Sequence, residues 1–327
     1  MSSSSISRRQ LMAGSAASAA LMASPAAIAQ QFPTKPIRIF LPFAAGGIGD
    51  ITFRLVTAKV TERTGIQFVI ENRPGAGGIN SALAGKQAPP DGYTLVQIGN
   101  SYTISASLFK TLPYDLGKDF MSVSMLAQFD MLLATRANHT INTVADLVAI
   151  DRAKPRTLNF GAISAGSTQN LAADMFRATI GSEATVVPFK SSPELIHALT
   201  RGDIDVGFDY LAAFAAPLAD KQLKLIASAG EKRSSLTPDT PTVAESGWPT
   251  YIVTSWNGVS APVGTPKELI TLLNKEISAV LALQDTKDRF RQLGMETAES
   301  TPEGMDERLR ADMARWREVI GKLGLAQ

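Results

Sequence analysis

Short apolar runs alternate along this chain with stretches of helical period, and turns rich in small residues join one to the next. The first run, Ile37-Arg-Ile-Phe-Leu-Pro42, meets a glycine-rich turn, Phe43-Ala-Ala-Gly-Gly-Ile-Gly49. A helical pattern then opens at Asp50, with Phe53, Val56 and Val60 on one face. Asp50 suits the N-cap, because its carboxylate can accept the unpaired N–H groups of the first turn. The unit repeats: Gln67–Glu71 reads as a strand, Asn72–Gly78 as a Gly/Pro turn and Ile79–Gln87 as a helix. Tyr93–Ile98 is a third strand, closing on Gly99-Asn100-Ser101. Strands alternating with helices predict an α/β fold, its sheet mostly parallel with helices on both faces.

An apolar stretch without a turn signal runs from Met121 to Thr135, long enough to pass from one lobe into another. Asp146 opens a helix beyond it. Thr157–Gly161, the turn Ala162–Gly166 and a helix over Ser167–Ile180 then repeat the strand, small-residue loop and helix in a second region. Ala184–Phe189 is a further strand, and Ser192-Pro193-Glu194 opens a helix with a serine cap and proline at the first position. Gly202 and Asp203 end it; Ile204–Phe208 and Leu223–Ala227 follow as strands. Thr250–Ser260 is a second extended segment, placed to return the chain to the first lobe. The division expected is residues 30–130 and 254–327 in lobe 1 and 131–253 in lobe 2. Thr265-Pro266-Lys-Glu268 spells a capping box for a helix reaching about Leu283. In the last helix, opened by Thr301-Pro302, Met305, Leu309, Met313, Trp316, Ile320 and Leu323 form a packing stripe.

Composition changes the picture in three ways. Residues 1–29 carry Arg8-Arg9, a small and apolar run from Leu11 to Met22, and Ala27-Ile28-Ala29 as an A-x-A processing site. This reads as an export signal cleaved after Ala29, and Ser7-Arg8-Arg9-Gln10-Leu11-Met12 is like a twin-arginine motif. No later stretch approaches the roughly 20 apolar residues of a membrane span, so a soluble protein outside the cytoplasm is expected. Of 32 Lys and Arg, two lie in that leader, leaving 30 against 30 Asp and Glu. That balance, with no basic run interleaved with aromatics, argues against nucleic acid. The 327 residues contain no cysteine and only two histidines, His139 and His197, which removes thiolate metal sites, disulfides and His-Glu-x-x-His zinc chemistry.

Three turns, Phe43–Asp50, Asn72–Gly78 and Ala162–Gln169, place small residues between a strand end and a helix start. Helix N-termini offer unpaired N–H groups and a partial positive charge, so such turns can hold carboxylate or phosphate without Lys or Arg. Gly75-Ala-Gly77-Gly-Ile-Asn80 puts Asn80 where the third glycine of a dinucleotide fingerprint belongs, and no P-loop occurs. Ala162-Ile-Ser164-Ala-Gly166 is a variant nucleophile elbow. A Ser164 hydrolase needs a base, whereas the only later histidine, His197, sits inside a helix; His139 reads as a surface or cleft-rim residue. Asp203, Asp205 and Asp209 share a strand face, and Asp209 is placed to face a cleft and meet a ligand amine or hydroxyl.

Several of these segments carry a resemblance. Phe43-Ala-Ala-Gly-Gly-Ile-Gly-Asp50, Glu71-Asn-Arg-Pro-Gly-Ala-Gly-Gly78, Pro90-Asp-Gly-Tyr-Thr-Leu95, Pro241-Thr-Val-Ala-Glu-Ser-Gly247, Ser255-Trp-Asn-Gly258 and Ala261-Pro-Val-Gly-Thr-Pro266 resemble, in order, the substrate-binding proteins of tripartite tricarboxylate transporters, the Bug family. The resemblance implies a two-lobed periplasmic-binding-protein fold of type II, a Venus flytrap joined by two crossing strands. It implies a small carboxylate held between the lobes by backbone N–H groups, hydroxyls and ordered water. The candidate ligand residues are Phe43, Ala44, Ala45, Gly46, Gly47 and Asp50 in the first loop, and Ser101 and Tyr102 after the third strand. Ser164, Ala165, Ser167, Thr168 and Gln169 in the second-lobe loop complete the set with Asp209. Ile48, Asn170 and Ser191-Ser192 depart from the usual pattern and bear on ligand identity. Ile48, with Phe43 and Tyr102, hints at an aromatic or longer aliphatic carboxylate; di- and tricarboxylates are the family's other class. The expectation is a monomeric, non-enzymatic binding protein without metal or cofactor, serving integral-membrane transporter subunits. A secreted serine hydrolase and a ligand-sensing partner of a membrane receptor are the alternatives.

Overall fold

The computed structural model of the protein describes residues 32–324 except 44, 76, 77 and 164–166; the leader and its cleavage point lie outside them, as does the side chain of Leu323. In the first lobe β1 (Ile37–Leu41), β2 (Phe68–Asn72) and β3 (Thr94–Gly99) lie parallel in the order β2-β1-β3, with α1 (Ile48–Thr64) and α2 (Ile79–Lys86) as crossovers. Alternation along the strands divides their apolar side chains between two faces. Ile37, Ile39 and Leu41 enter one core with Phe53, Val56 and Val60 of α1, while Phe40, Val96 and Ile98 enter another with Ala82 of α2. α3 (Asn100–Leu108) follows β3 without a loop. Its Ser, Thr and Asn content favours a turn, and burial of Tyr102, Ile104 and Leu108 overrides that local preference.

Two strands join the lobes. β4 (Phe120–Arg136) pairs antiparallel with β9 (Thr254–Pro262) from Phe120 opposite Pro262 to Asp130 opposite Thr254. Beyond Asp130 the same strand enters the second lobe, flanked by β7 (Val206–Tyr210) and β8 (Leu223–Ser228). Bulges at Ser122/Ser124 and Met125/Ala127 interrupt the β4–β9 ladder and bend so long a strand. The second lobe adds β5 (Asn159–Ile163) and β6 (Thr185–Phe189), parallel to each other, with β7 parallel to β5. Both sheets are therefore mixed where the sequence led us to expect mostly parallel ones. Among the named strands parallel pairing is confined to β2-β1-β3 and β6-β5-β7, because the connecting strands run against their neighbours.

Helices cover the second sheet as they do the first. α4 (Val144–Ala153) opens with a complete capping box between Thr143 and Asp146, and α5 (Thr168–Ile180) packs Phe176 into an aromatic cluster with Phe160, Phe208 and Tyr251 at centroid spacings of 5.4 to 5.8 Å. α6 (Ser192–Arg201) is capped by Ser191, one residue before the serine expected. α7 (Leu211–Ala219) is almost wholly apolar and contains Pro217, so it carries no helical stripe to recognise. α8 (Lys267–Leu281) lacks the predicted capping box: Thr265 turns its hydroxyl to the Pro262 carbonyl at 2.8 Å, and Pro266 occupies the cap. α9 (Gln284–Gln292) and the two-residue β10 (Glu296–Thr297) lead into α10 (Pro302–Leu323). The stripe of α10 is packed as read, with Met305, Leu309, Trp316 and Ile320 buried. Its polar flank binds the joining strand, where the Trp256 indole N–H donates to Asp312 at 2.6 Å and Arg308 donates to the same carboxylate at 2.9 Å. No helix among the described residues is long and apolar enough to cross a membrane.

Two outcomes follow for this framework. A Cβ at Gly99 would stand 2.5 Å from the backbone oxygen of Trp256, an atom that cannot yield without moving β9. Gly99→Ala should therefore lower the unfolding free energy by about 1–3 kcal/mol in urea titrations without altering their slope. Asp130 closes the β4–β9 ladder; burial, with nearby Glu296 adding to it, pushes its carboxyl up to about 6. A pKa raised by folding means tighter proton binding in the folded state. The stability it contributes is full below the ordinary 3.8 and is lost as pH rises through about 6. Asp130→Asn should remove that decline, so the melting temperature of the variant gains on the wild type between about pH 4 and 7. Parallel curves would refute the assignment.

Candidate functional site

A cavity of about 480 Å³ lies where the two sheets meet. It is bounded by the carboxyl ends of β1, β5, β6 and β7, the first turns of α1, α3, α5, α6 and α7, the middle of β4 and the start of β9. Ligands of open α/β sheets collect at this end because helix N-termini converge there. The walls divide by chemistry. Phe43, Ile48, Ile51, Phe129, Ile163 and Ile196 are apolar, whereas Ser101, Ser167, Thr168, Gln169, Asp209, Tyr210, Ser255 and Asn257 offer polar atoms. The only cationic side chain among the lining residues is Lys190, which is solvent-exposed.

The first loop brings Phe43, Ala45, Gly46 and Gly47 to the cavity, with Ile48 and Gly49 behind them at the start of α1. This helix has Gly47 at its cap and no side-chain cap, so its first-turn N–H groups are not claimed by a neighbouring side chain. Asp50 is neither the N-cap nor a lining residue. It sits in the third helical position, where its Oδ2 accepts from the Gly46 N–H at 3.0 Å and from Arg54 Nε at 2.8 Å. Its Oδ1 accepts from Asn72 Nδ2 at 3.0 Å, and the same amide donates to the Phe43 carbonyl at 2.9 Å. Burial by itself pushes the Asp50 carboxyl up, but hydrogen bonds from Arg54, Gly46 and Asn72 outweigh it and hold the pKa below its ordinary value. Asp50 thus fixes the loop from behind.

The second loop contributes Ser167, Thr168 and Gln169. Ser167 caps α5: its hydroxyl accepts from the Asn170 N–H at 3.1 Å and donates to the Ile163 carbonyl at 2.9 Å. Its proton is therefore committed, and what this end of the helix can offer a ligand is backbone N–H rather than the serine hydroxyl. Thr168 is tied across the lobes. Asn100 at the start of α3 gives its Nδ2 to Thr168 Oγ1 at 3.2 Å, while its Oδ1 accepts from the Trp316 indole N–H at 2.8 Å. Because the indole can only donate, it fixes which way the Asn100 amide faces.

Two buried polar groups in the wall remain unmatched. Asp209 is 1% exposed. Its Oδ1 accepts from the Tyr210 N–H at 2.9 Å and from Gln169 Nε2 at 3.2 Å, and its Oδ2 meets no donor at hydrogen-bonding geometry. Burial raises its pKa above the ordinary value, against the pull of Ser192, the Tyr210 N–H and Gln169. Asn257, 4% exposed, accepts from Gln97 Nε2 at 3.1 Å through Oδ1 and leaves its Nδ2 without an acceptor. That Nδ2 lies 3.8 Å from the point where a Gly49 Cβ would stand, beside the start of α1.

The site residues singled out from the sequence thus fall into three groups. Phe43, Ala45, Gly46, Gly47, Ser101, Ser167, Thr168, Gln169 and Asp209 line the cavity. Asp50 and Tyr102 do not: Tyr102 is fully buried on the other side of α3, where a Cβ on Gly78 would collide with its ring at 2.8 Å. Ala44, Ser164 and Ala165 lie outside the described residues. Tyr210, Ser255 and Asn257 were not foreseen, although Ser255-Trp-Asn-Gly258 stood out as a motif and would have marked β9 as a wall of the site. The histidines stand apart from the cavity. His139 is a partly buried structural residue that does not line the cavity: the Ile141 N–H donates to its Nδ1 at 3.0 Å, so Nε2 faces Asp205 at 3.3 Å. His197 is on the exposed side of α6.

Comparison with known proteins agrees with this geometry. Residues 52–325 match the family model described as "Tripartite tricarboxylate transporter family receptor". The protein BugT of Bordetella pertussis is 28% identical over 298 residues, covering 90% of this chain and 91% of its own. Among solved structures, R. palustris Rpa4515 with adipate superposes with a TM-score of 0.85 at 33% identity, over 90% of this chain and 99% of that one. MatC (Rpa3494) from Rhodopseudomonas palustris with bound malate gives 0.81 at 28% identity, over 88% and 100%. The fold is thus that of the two-lobed periplasmic binding proteins, and the chain belongs to the receptor family of the tripartite tricarboxylate transporters.

Proposed function

We propose that this protein captures a small organic carboxylate between its lobes and delivers it to integral-membrane transporter subunits, itself performing no chemistry. The observation that carries the reading is the meeting, in one cavity, of two helix starts from different lobes, α1 at Gly47–Gly49 and α5 at Ser167–Gln169. Each presents N–H groups and the positive end of a helix dipole, so an anion placed between them is stabilised by both lobes at once. Such a ligand favours the closed arrangement over an open one, because only closure supplies both sets of contacts. The bound adipate and malate of the two R. palustris relatives support a carboxylate as that anion. Catalysis at Ser164 gains no support from the cavity wall, where neither histidine is found. The leader supports export, with cleavage after Ala29 and residence in the periplasm. Strand pairing supports the hinge positions: Asp130 and Thr254 are the last β4–β9 pair before the chain passes into residues 131–253, the second lobe.

A thermal-shift screen of the chain from Gln30 onward against mono-, di-, tri- and aromatic carboxylates tests this. A ligand at a hundred times its dissociation constant should add about 2.7 kcal/mol to stability, and no shift with any class, in protein cleared of copurified ligand by unfolding and refolding, would remove the proposal. Two substitutions then separate contact from support. Gly47 has φ −76° and ψ 166°, a backbone open to any residue. Gly47→Leu should therefore fold normally and lower affinity more than about tenfold by filling the cavity. Ser167→Ala should cost about 1 kcal/mol of stability through the lost cap, with an affinity loss below about tenfold because its proton is already given to Ile163. The reverse ranking in titration calorimetry would return Ser167 to direct contact.

A further inference from the structure

We propose that Asn100 is a positioning residue that latches the two lobes together: it lies outside the cavity wall and, through Thr168, holds the closed arrangement whether or not a ligand is bound. This rests on the two-lobed closure proposed above and is independent of which ligand the cavity takes. The Asn100 amide stands at the start of α3 in the first lobe, and Thr168 at the start of α5 in the second. Their hydrogen bond spans 3.2 Å from Nδ2 to Oγ1, and the two residues are 1% and 2% exposed. Asn100 is not among the residues that line the cavity. A ligand therefore neither makes this bond nor replaces the Asn100 side of it.

The bond is prepared on both sides. In the first lobe the Trp316 indole N–H donates to Asn100 Oδ1 at 2.8 Å. An indole has no acceptor to offer, so the amide nitrogen is turned toward Thr168. Trp316 is fully buried, and its helix α10 is tied to α3 a second time, where the Ser107 hydroxyl donates to the Met313 carbonyl at 3.4 Å. Arg315, stacked over the Trp316 ring at 4.8 Å, donates to the Ile252 carbonyl on the segment returning from the second lobe. In the second lobe the Tyr210 hydroxyl hydrogen-bonds both Thr168 and Ser255. The Thr168 proton thus has an acceptor of its own, and its oxygen is left for Asn100. Parting the lobes breaks the bond and returns both groups to water, so its net worth is that of one neutral hydrogen bond. It biases closure without locking it. Because free and loaded protein share it, the latch also slows release: a loaded carrier must break it to open.

The test needs no ligand. The chain has no cysteine, so spin labels on Glu62→Cys of α1 and Arg152→Cys of α4, both exposed, report one inter-lobe distance by pulsed electron resonance. In protein freed of copurified ligand by unfolding and refolding, the expected result is a population at the separation of this structure beside a more open one. Asn100→Ala should lower the closed-to-open ratio about three- to tenfold. Thr168→Val breaks the bond from the other lobe and leaves Asn100 on Trp316; it should lower the ratio as much, and Thr168→Ser should restore it. The two breaking changes combined should lower the ratio no further than either alone, since they remove the same bond. A free protein with no closed population would overturn the inference, as would a ratio unchanged in Thr168→Val or an additive double variant. If Asn100→Ala does not fold, the wild type and the Thr168 pair still decide. Since no carboxylate is present, the result stands apart from that of the thermal-shift screen.

Discussion

The antiparallel pairing of β4 with β9 is the constraint on which the rest of the molecule depends. β4 runs through both sheets, and β9 fixes its first half from Phe120 to Asp130. Side chains on this ribbon serve the core and the site together: Phe129, Ser255 and Asn257 form the cavity floor, while Trp256 is gripped from behind by Asp312 of α10. A bend in the ribbon changes the separation of the loops at Gly47 and Ser167, because β1, which leads into one loop, reaches the ribbon through β3, and β5, which leads into the other, reaches it through β7. The close approach at Gly99, with no room for a Cβ beside the Trp256 carbonyl, shows how little slack the ribbon has.

On that frame the binding chemistry is built almost without side-chain cations. Arg54, on the helix that the first loop opens, is spent on Asp50. The loop's shape is thereby fixed before any ligand arrives, so binding does not have to order it at an entropic cost. A helix terminus is a weaker attractor than an arginine, but it imposes no fixed fork geometry and is easily released. That suits a carrier that must surrender its cargo. Ser167 illustrates the same economy. Its hydroxyl orders the start of α5, so backbone N–H groups are what that helix end has free to offer.

Much of this was legible in the residues. The alternation of apolar runs with small-residue turns located most of the strands, and Thr301-Pro302 and the Met305–Ile320 stripe located α10 and its buried face. Three kinds of information were missing. α3 opposes its local propensity, being rich in turn-forming residues, so packing decides it, and α7 is uniformly apolar, so it carries no stripe to recognise. Cap positions slipped because a polar side chain near a helix start can be spent on another partner. Gly47 took the cap from Asp50, and Thr265 gave its hydroxyl to a carbonyl rather than to a helix. Finally, periodicity says that a residue is buried but not against what, which is why Tyr102 was counted toward the site although it packs behind α3, and Tyr210 was overlooked at the end of a strand placed two residues too early.

The position of β9 between β3 and β4 also has a temporal meaning. Gln97 on β3 hydrogen-bonds Asn257 across 160 residues of chain, so the first sheet cannot close until the whole second lobe has been synthesised. Until then β3 and β4 present open edges, the kind of surface on which strands from other molecules can pair. Contacts of such sequence separation also slow folding, since loop closure must precede any gain from pairing. The second half of β4 with β5, β6, β7 and β8, by contrast, is continuous along the chain and can mature first. The molecule is therefore expected to assemble from its middle outward, and the period between completion of the inner lobe and arrival of β9 is when it most needs a chaperone.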